Sequence, residues 1–570
     1  MSGANLNKVQ KYIPLVETIR NYKKEYARRD LIAALTVAVV AIPQSMAYAI
    51  IAGVNPVYGL YTAIISAIIG SAFGCSNHLV TGPTNAISLL IASSMKNYMG
   101  LDNAYEMLFL MTFLVGVLQI FFGLVKLGKV INYVSHSVIV GFTTGAGILI
   151  ALGQLNQLLG ISIKNSSQMS TINKLFYVLT HLNESNIFSI ALGLLTIGII
   201  IICKKINKNL PGSLIGIIVP IIFILSFGLE NHGVKLTGDI PSSLPPFKMI
   251  SFDLNSIKSV FGNAVAIAII GLVEAISISK SISRTSRQKI DANQEFIGQG
   301  MANVISSFFQ CIPGSGSFTR SAINFYNGAV TRLSGVLSGL VVAIVLLFFA
   351  PYAKYIPMPS LAGVIMVTAY NMISKKEIKN VSKVGKSDQI AMWATFAATV
   401  LMPDLDWAIY FGIAVSIALY LKDTGKVSIK ILIPSQKNEL QFVEKEIEYV
   451  KEKEDILIIQ LEGNLYFGSA YDLENKLDML EDKSRIFILR MKHVITIDVT
   501  SLEVIEDFIK SVKESGGSVI ICGVTSGLNS MLINSNLISA IGAENIFMSE
   551  EGLFASSNKA LERAKAVLQN

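Results

Sequence analysis

The segment IPQSMAYAIIAGVNPVYGLY, residues 42–61, is apolar enough to lie in a lipid bilayer, yet it carries polar groups that a lipid-facing helix does not need. Pro43 cannot donate a backbone hydrogen bond, so a helix through it is expected to open locally. Gln44 and Tyr48 stand four residues apart, which places both side chains on one helix face. At membrane depth such groups survive where they are buried in protein or line a wet cavity. The segment is therefore predicted to form one wall of a substrate site.

The composition is that of an integral membrane protein with a second, more polar part. Of 570 residues, 52% are hydrophobic, and the mean hydropathy is +0.55, which is too apolar for a soluble chain of this length. Residues 1–429 carry 32 Lys and Arg against 17 Asp and Glu, whereas residues 430–570 carry 15 against 22. The basic excess lies in short loops between apolar runs, so it indicates membrane topology and not nucleic-acid binding.

The side chains that build metal and catalytic sites are dispersed along the chain. The four Cys and five His residues show no metal-ligand spacing, so neither a metal nor another cofactor is predicted. No catalytic constellation is evident, and an enzyme is therefore the least favoured class. Residues 1–30 are polar and basic without an apolar core and cleavage site, so they are expected to form a cytoplasmic N-terminal segment and not a cleaved signal peptide.

Fourteen apolar segments follow, and two of them are short. A full crossing needs about 20 apolar residues, so the third and the tenth segments are too short to cross alone. Basic clusters follow every second segment, which predicts that both termini are cytoplasmic, although twelve crossings would satisfy the same rule. The predicted segments are 31–53, 58–74, 84–97, 104–125, 130–152, 187–203, 211–228, 257–279, 291–310, 318–328, 333–350, 359–373, 388–402 and 405–421.

The two short segments are each third in a set of seven, which predicts an inverted repeat with a binding site between its halves. VTGPTNAIS (residues 80–88) precedes one and CIPGSGSFTRSA (residues 311–322) precedes the other. In both stretches, Gly and Pro residues prevent the chain that leads into the short segment from forming a helix until it reaches the middle of the membrane. Each half-helix would then offer free N–H groups and about half a positive charge at its N-terminus. Two such termini aimed at one another form an anion site without a cation. The alternative is that these Gly and Pro residues mark ordinary loops.

Two ionisable residues inside the predicted segments are candidates for function. Glu274 lies in the eighth segment, where a charge is expensive and therefore indicates a functional role. Arg320 lies just inside the tenth segment, from which its side chain could reach the central site. A structural ion pair between the two is the alternative. It does not exclude a carboxyl group that takes up and releases a proton during transport, because burial and a nearby arginine act on such a group in opposite directions.

The pattern changes after about residue 430. Short β-rich runs at residues 456–461, 485–491 and 518–522 alternate with helical patterns at residues 471–482 and 501–515. Strands that alternate with helices predict a small α/β domain. The domain carries no phosphate-binding loop, nucleophile elbow or metal constellation, so it is interpreted as regulatory or assembly-forming.

Four stretches of the membrane part together resemble the sulfate permease (SulP/SLC26) family of anion transporters, and the tail resembles the STAS domain of that family. The resemblance implies fourteen membrane segments in a seven-plus-seven inverted repeat. It divides them into a core domain (segments 1–4 and 8–11) and a gate domain (segments 5–7 and 12–14), and it implies an elevator-like motion and a homodimer. The stretches are DLIAALTVAVVAIPQSMAYAIIAGVNPVYGLY, TGPTNAISLL, GLVEAISISKS and PGSGSFTRSAINFYNGAVTRLSG.

The resemblance also assigns roles by position. Glu274 matches an acidic position that the plant sulfate carriers of the family use in proton coupling, whereas the bicarbonate carriers have Asp there. In the tail, Val499 follows Asp498 where soluble STAS proteins place a phosphorylatable Ser, and this departure argues against phosphorylation. The implied anion-binding residues are Gln44, Tyr48, Thr84, Asn85, Phe318, Thr319 and Arg320.

These observations predict a proton-coupled symporter of small oxyanions, with sulfate as first choice, in the plasma or inner membrane. The predicted divisions are an N-terminal segment (1–30), a membrane domain (31–421), a linker (422–436) and a cytoplasmic STAS domain (437–570). The expected partners are the anion, the coupling proton, the lipid bilayer, a second copy of the chain and a cytoplasmic protein that binds the STAS domain.

Alternatives stay open within and outside this class. One is a bicarbonate or C4-dicarboxylate carrier, coupled to H⁺ or Na⁺ or acting as an exchanger, and another is a nucleobase carrier of similar architecture. A membrane-anchored signalling protein is a different class. It predicts that loss of residues 430–570 abolishes function while Arg320→Ala has no effect, and a transporter predicts the reverse order of severity.

Overall fold

The computed structural model describes residues 13–96, 98, 103–128, 135–163, 169, 171–207, 210–238, 241–402, 405–435, 438–450, 452–534, 537–552 and 554–569. The chain divides into two compact units, Met1–Ser416 and Ile417–Asn570. The first is helical and the second contains a sheet. The finer domain boundaries stated above, at residues 30, 421 and 436, stay predictions.

The helices of the first unit follow the apolar segments of the sequence. Seven helices of its described residues are long and apolar enough to cross a membrane, by length and composition. In chain order the helices are α1 (Pro14–Arg20), α2 (Lys24–Ile51), α3 (Pro56–Phe73), α4 (Asn85–Met95), α5 (Ala104–Leu124), α6 (His136–Gly153), α7 (Leu155–Leu159), α8 (Thr171–Thr180), α9 (Ile187–Ile206), α10 (Gly212–Phe227), α11 (Leu254–Ser286), α12 (Ala292–Ser307), α13 (Phe318–Tyr326), α14 (Leu333–Ala353), α15 (Met358–Met372), α16 (Lys375–Val384), α17 (Lys386–Leu401) and α18 (Leu405–Thr424).

Each of the fourteen predicted segments overlaps one of these helices. The structure adds four short helices that the apolar pattern does not contain, namely α1, α7, α8 and α16. Their sequences are partly polar, so they do not stand out as apolar runs. The number of crossings and the inverted repeat stay predictions.

The local opening expected at Pro43 does not appear. Helix α2 is continuous from Lys24 to Ile51 with Pro43 in its interior. A proline removes one backbone hydrogen bond, and most residues of the following two turns are buried against other helices. That packing holds the helix together despite the lost bond, because helical stability in proteins comes mainly from tertiary contacts.

A two-stranded ribbon lies in the interior of the first unit. Strands β1 (Thr81–Gly82) and β2 (Ser315–Gly316) pair antiparallel, with Thr81 opposite Gly316 and Gly82 opposite Ser315. All four residues are buried. Helix α4 begins just after β1 and helix α13 just after β2. The ribbon therefore brings the starts of two short helices together from positions more than 230 residues apart.

Two buried carboxylates hold the loop before β1 and the loop after α13. Glu295 in α12 accepts hydrogen bonds from the backbone N–H groups of Cys75 and Ser76, each at 3.0 Å. Asp30 in α2 accepts from the backbone N–H of Val330 at 2.7 Å and of Thr331 at 3.1 Å. Buried amides that would otherwise lack a partner are thus satisfied by charged acceptors, which give the stronger hydrogen bonds.

The second unit is an α/β domain built on a six-stranded sheet of order β4-β3-β5-β6-β7-β8. Strands β5 to β8 run parallel, whereas β3 pairs antiparallel with both β4 and β5. The elements are β3 (Ser428–Ser435), β4 (Asn438–Lys445), β5 (Glu454–Leu465), α19 (Phe467–Glu481), β6 (Ser484–Ile497), α20 (Val499–Glu514), β7 (Ser518–Val524), α21 (Ser526–Asn534), α22 (Leu537–Ile541), β8 (Ile546–Met548) and α23 (Ala555–Gln569).

Helices cover both faces of this sheet. Leu473 of α19 and Ile509 of α20 belong to the core on one face, and Ala560 and Ala564 of α23 belong to the core on the other. The three predicted strands correspond to β5, β6 and β7, and the two predicted helices to α19 and α20. The sequence pattern did not indicate the β3–β4 hairpin, β8 or the last three helices.

Candidate functional site

A cavity of about 740 Å³ opens among helices of the first unit and is called the central cavity below. It lies against the middle of α2 and α11, the first residues of α4 and α13, and parts of α6, α9, α10 and α15. Seven of the eight site residues predicted from sequence line it, and they are Gln44, Tyr48, Thr84, Asn85, Glu274, Phe318 and Thr319.

The N-terminus of α4 is open toward this cavity. Thr84 precedes the helix, a position at which a Thr hydroxyl ordinarily caps the first amides. Here it makes no capping hydrogen bond. Its Oγ1 donates instead to Oε2 of Glu274 at 3.1 Å. The Asn85 side chain accepts from the N–H of Ala86 at 2.9 Å, so the remaining amides of the first turn are without an intrahelical partner.

The N-terminus of α13 is open in the same way. Ser317 precedes this helix and also makes no capping hydrogen bond. The next residue, Phe318, is 61% exposed even though it lies beside the buried ribbon, because its side chain projects toward the cavity. Thr319 follows it and is exposed as well. A hydroxyl group and uncapped amides therefore stand at the start of the second short helix.

The ribbon holds the starts of the two helices together. The backbone N–H of Ser317 donates to the carbonyl of Val80 at 3.0 Å, which extends the antiparallel pairing by one step. Thr84 and Asn85 at the start of α4 and Phe318 and Thr319 at the start of α13 line the same cavity. The N-terminal ends of the two helices, each with a partial positive charge, thus meet at the central cavity.

Helix α2 contributes the polar wall that the sequence of residues 42–61 predicts. Gln44 and Tyr48 are one turn apart on α2, and both line the central cavity. Gln44 is only 7% exposed, and its Oε1 has no hydrogen-bond partner among the described residues. An unpartnered buried amide is costly, so this one is available for a ligand or for water in the cavity.

Glu274 is held by a hydroxyl group and not by a cation. Thr84 is its hydrogen-bond donor, and among the described residues no Lys, Arg or His lies within ion-pair distance of its carboxylate. The ion pair with Arg320 that the sequence left open is therefore not formed. Glu274 is therefore a carboxyl group at the wall of the 740 Å³ cavity with no compensating cation among the described residues, an arrangement that is costly in a membrane and indicates a functional role.

Arg320 is the one predicted site residue that does not line the cavity. Its side chain is fully buried, and its Nη2 donates to the carbonyl oxygen of Pro83. It fits there because Gly82 has no side chain, and a Cβ at Gly82 would lie 2.4 Å from Nη1. The guanidinium thus packs against Gly82 and Pro83 of the first strand and its exit, and it is not among the groups that line the cavity.

The structure also places Lys204 at the cavity, a residue that the sequence pattern indicated only as one of the basic residues that determine membrane topology. Lys204, in the last turn of α9, lines the cavity and donates to Oδ1 of Asn371 in α15 at 3.1 Å. Lys204 is exposed, so it marks a mouth of the cavity at the ends of α9 and α15. A lysine at the end of an apolar helix looks like an ordinary flanking charge, and only the fold shows that it faces a cavity.

The sequence matches two family models. Residues 28–395 match the sulfate permease family, and residues 449–553 match the STAS domain. The chain belongs to the sulfate permease family. The chain is accordingly a multi-pass membrane transporter with a C-terminal STAS domain, and not an enzyme.

Named relatives cover nearly all of this chain. "Putative sulfate transporter YvdB" of Bacillus subtilis is 32% identical over 532 residues, which are 93% of this chain and 97% of the relative. "High affinity sulfate transporter 1" of Stylosanthes hamata is 28% identical and spans 95% of this chain and 85% of its own. "Sulfate transporter 4.1, chloroplastic" of Arabidopsis thaliana is 27% identical, with 94% and 81% covered.

Solved structures share the fold. The murine Slc26a9 anion transporter in the inward-facing state superposes with a TM-score of 0.88 at 19% identity, covering 99% of this chain and 95% of that one. The transmembrane domain of the cyanobacterial bicarbonate transporter BicA gives a TM-score of 0.61 at 26% identity, covering 67% of this chain and 98% of that domain. The central cavity therefore lies in an anion-transporter fold.

Proposed function

We propose that this protein carries sulfate together with a proton, and that the anion is held in the central cavity between the starts of α4 and α13. The observation that carries the proposal is the pair of uncapped helix N-termini at one cavity. Free amides and the helix dipole make such a terminus an anion site. Two of them at one cavity favour a small anion with acceptor oxygens on opposite sides, which describes a tetrahedral oxyanion.

Side chains of the cavity would complete the binding. Gln44 can donate from its amide group, and Thr319 can donate from its hydroxyl. Arg320 adds positive potential from its place against Gly82 and Pro83, at a position where it cannot form the direct pair that would hold an anion too tightly for release. Lys204 at the mouth would attract anions from the adjoining solution. Asn85, Tyr48 and Phe318 line the remaining wall.

Glu274 is proposed as the proton carrier. An ionised carboxylate in the same cavity as a divalent anion repels it, and this repulsion is stronger in a poorly solvated site than in water. Protonation of Glu274 removes the repulsion, so uptake of one proton would accompany entry of the anion. Release of the proton on the other side would then help to expel the anion, which couples the two movements.

The position of the cavity supports an elevator-like motion. One wall comes from α2, α4, α11 and α13, which match the core segments, and the other from α6, α9, α10 and α15, which match the gate segments. A substrate at such a boundary would move with the core when the core shifts past the gate. Fourteen segments in an inverted repeat, a homodimer, and cytoplasmic placement of the N-terminus and STAS domain at the cell membrane belong to the same proposal.

A bicarbonate carrier is the second candidate, and the similarity to the BicA transmembrane domain favours it. Uptake into proteoliposomes distinguishes the two. Labelled sulfate uptake should rise under an inward proton gradient, and unlabelled sulfate should compete with it more strongly than bicarbonate, fumarate or uracil. Absence of sulfate uptake by a preparation that takes up labelled bicarbonate would overturn the assignment to sulfate while leaving an anion carrier.

A further inference from the structure

A second cavity, of about 520 Å³, lies in the same unit and is called the far cavity below. The far cavity and the central cavity have no lining residue in common. Both border α4, the central cavity at Asn85 in its first turn and the far cavity at Lys96 just past its end. The far cavity also borders Leu89 and Ser93 of the same helix. The two cavities therefore follow one another along the short helix that begins at the proposed anion site.

Helices α2 and α6 show the same order. In α2 the central cavity borders Gln44 and the far cavity borders Ile51. In α6 the central cavity borders Thr143 and the far cavity borders Gly153. Lys204 lines the central cavity, and the far cavity lies toward the C-terminal ends of α2, α4 and α6, which points to opposite sides of the membrane for the mouths of the two cavities.

The far cavity is lined by two cations and no described anion. Lys96 and Lys174 both line it, and no described Asp or Glu does. Neither lysine forms an ion pair with a described carboxylate. Burial, and then the neighbouring charge of Lys96, lower the pKa of Lys174. Two ammonium groups that repel each other across a cavity create a positive potential that an anion would relieve.

Neutral polar groups in the far cavity are also unsatisfied. Gln154 is 8% exposed, and its Oε1 has no hydrogen-bond partner among the described residues. Ser93 accepts a hydrogen bond from the backbone N–H of Leu405 at 3.1 Å, which leaves its own hydroxyl hydrogen free to donate. The Ser93 hydroxyl and the two ammonium groups are donors of the kind that bind oxyanions, whereas Oε1 of Gln154 is an acceptor and can be satisfied by water or by a lysine.

We propose that the far cavity is a second anion-binding site, in which Lys96 and Lys174 hold a small oxyanion on its path to or from the central cavity. The inference rests on the proposed function for the identity of the anion. Its structural basis is independent of that function, because the far cavity and the residues in it are separate from Glu274 and the two helix N-termini. A site of this kind raises the local anion concentration on the far side of the transporter.

Competitive lysine labelling of the purified full-length protein tests the site directly. The rate at which an amine-reactive reagent modifies Lys174 is measured by mass spectrometry in sulfate and in gluconate at equal ionic strength. Saturating sulfate should slow the modification about fivefold, the effect expected for one charge pair near a surface. Lys96→Gln should weaken this protection. Lys235, an exposed lysine that borders neither cavity, is the internal control and should be modified equally in both anions.

The outcomes separate this site from the proposed function. Protection of Lys174 by sulfate supports the site, and it should persist in Glu274→Gln, where coupled transport is lost. Protection in a preparation that transports no sulfate supports the site and overturns the proposed function alone. Equal modification of Lys174 in sulfate and gluconate overturns the site, even if sulfate transport is intact.

Transport gives a second readout. Lys174→Gln should raise the KM for sulfate supplied on the far side about fivefold and leave the maximal rate close to that of the wild type. Lys235→Gln is the matched control and should leave both unchanged. An unchanged KM in Lys174→Gln would contradict a role of the far cavity in the anion path.

Discussion

The hydroxyl of Thr84 donates a hydrogen bond to the carboxylate of Glu274, with 3.1 Å between Oγ1 and Oε2. This single bond has two consequences for the site. It provides the carboxylate of Glu274 with a hydrogen-bond donor. It also engages the hydroxyl that would otherwise cap the first turn of α4. The helix amides proposed to bind the anion and the carboxyl proposed to bind the proton are thus joined through one side chain.

Replacement of this hydroxyl should impair transport without disrupting the fold. Thr84→Val keeps the shape of the side chain but leaves Glu274 without its donor. A hydrogen bond to a charged group contributes about 1.5–3 kcal/mol, so the ratio of maximal rate to KM for sulfate should fall about tenfold or more. Thr84→Ser retains the hydroxyl and is the control. Equal transport by the Val and Ser variants would show that the bond has no role.

The packing of α3 against α2 supports the wall that carries Gln44. A Cβ at Gly59 would lie 2.0 Å from the backbone oxygen of Ser45, so Gly59→Ala forces the two helices apart. Overpacking of this kind costs about 1–3 kcal/mol, and the melting temperature of the purified protein should fall. Gly198→Ala in α9 is the matched control, because nothing lies within 4 Å of the added carbon. Equal melting temperatures of the Gly59→Ala and Gly198→Ala variants would contradict the close approach of α3 to α2.

The elements that the sequence predicted correctly are those with a strong local signal. Gly and Pro before residues 84 and 318 marked two interrupted segments, and α4 and α13 begin there. Polar residues in an apolar helix marked Gln44 and Tyr48, and both line the cavity. In each case the feature depends on residues that are close in sequence: Gly and Pro interrupt a helix where they stand, and a polar side chain in an apolar helix must itself reach a polar environment.

The features that it missed depend on pairing between distant residues. No local pattern shows that β1 pairs with β2, and this pairing places Gly82 against Arg320, whose guanidinium does not line the cavity. Lys204 has the sequence context of any lysine at a helix end. Strand β3 follows almost directly on apolar α18, so its own pattern is hidden by its neighbour.

The second unit should show an acid-sensitive contact at Asp472. This carboxylate accepts from the N–H of Val427 at 2.7 Å and from Nζ of Lys476 at 2.8 Å. Burial alone would raise its pKa, but these hydrogen bonds outweigh burial and hold the pKa of Asp472 below its usual value. The folded form therefore gains stability above the unfolded pKa of about 4, and loses it as the pH falls through the lower folded pKa.

Asp472→Asn should accordingly reduce the free energy of unfolding of residues 417–570 by about 1 kcal/mol near pH 7. Urea unfolding of this unit at a series of pH values measures the effect. The difference from the wild type should shrink as the solution is acidified, because the wild-type carboxylate is then protonated too. Glu474→Gln, at an exposed position two residues away, is the control and should change little. A difference in unfolding free energy between Asp472→Asn and the wild type that does not change with pH would contradict the lowered pKa of Asp472.

Proton coupling through Glu274 is the central claim, and one measurement tests it most directly. Uptake of labelled sulfate into proteoliposomes is compared with and without an inward proton gradient, for the wild type and for Glu274→Gln, which is neutral at every pH. The wild type should be stimulated by the gradient, whereas Glu274→Gln should take up or exchange sulfate without stimulation. Stimulation of Glu274→Gln to the wild-type extent would contradict the role of Glu274 as the proton carrier.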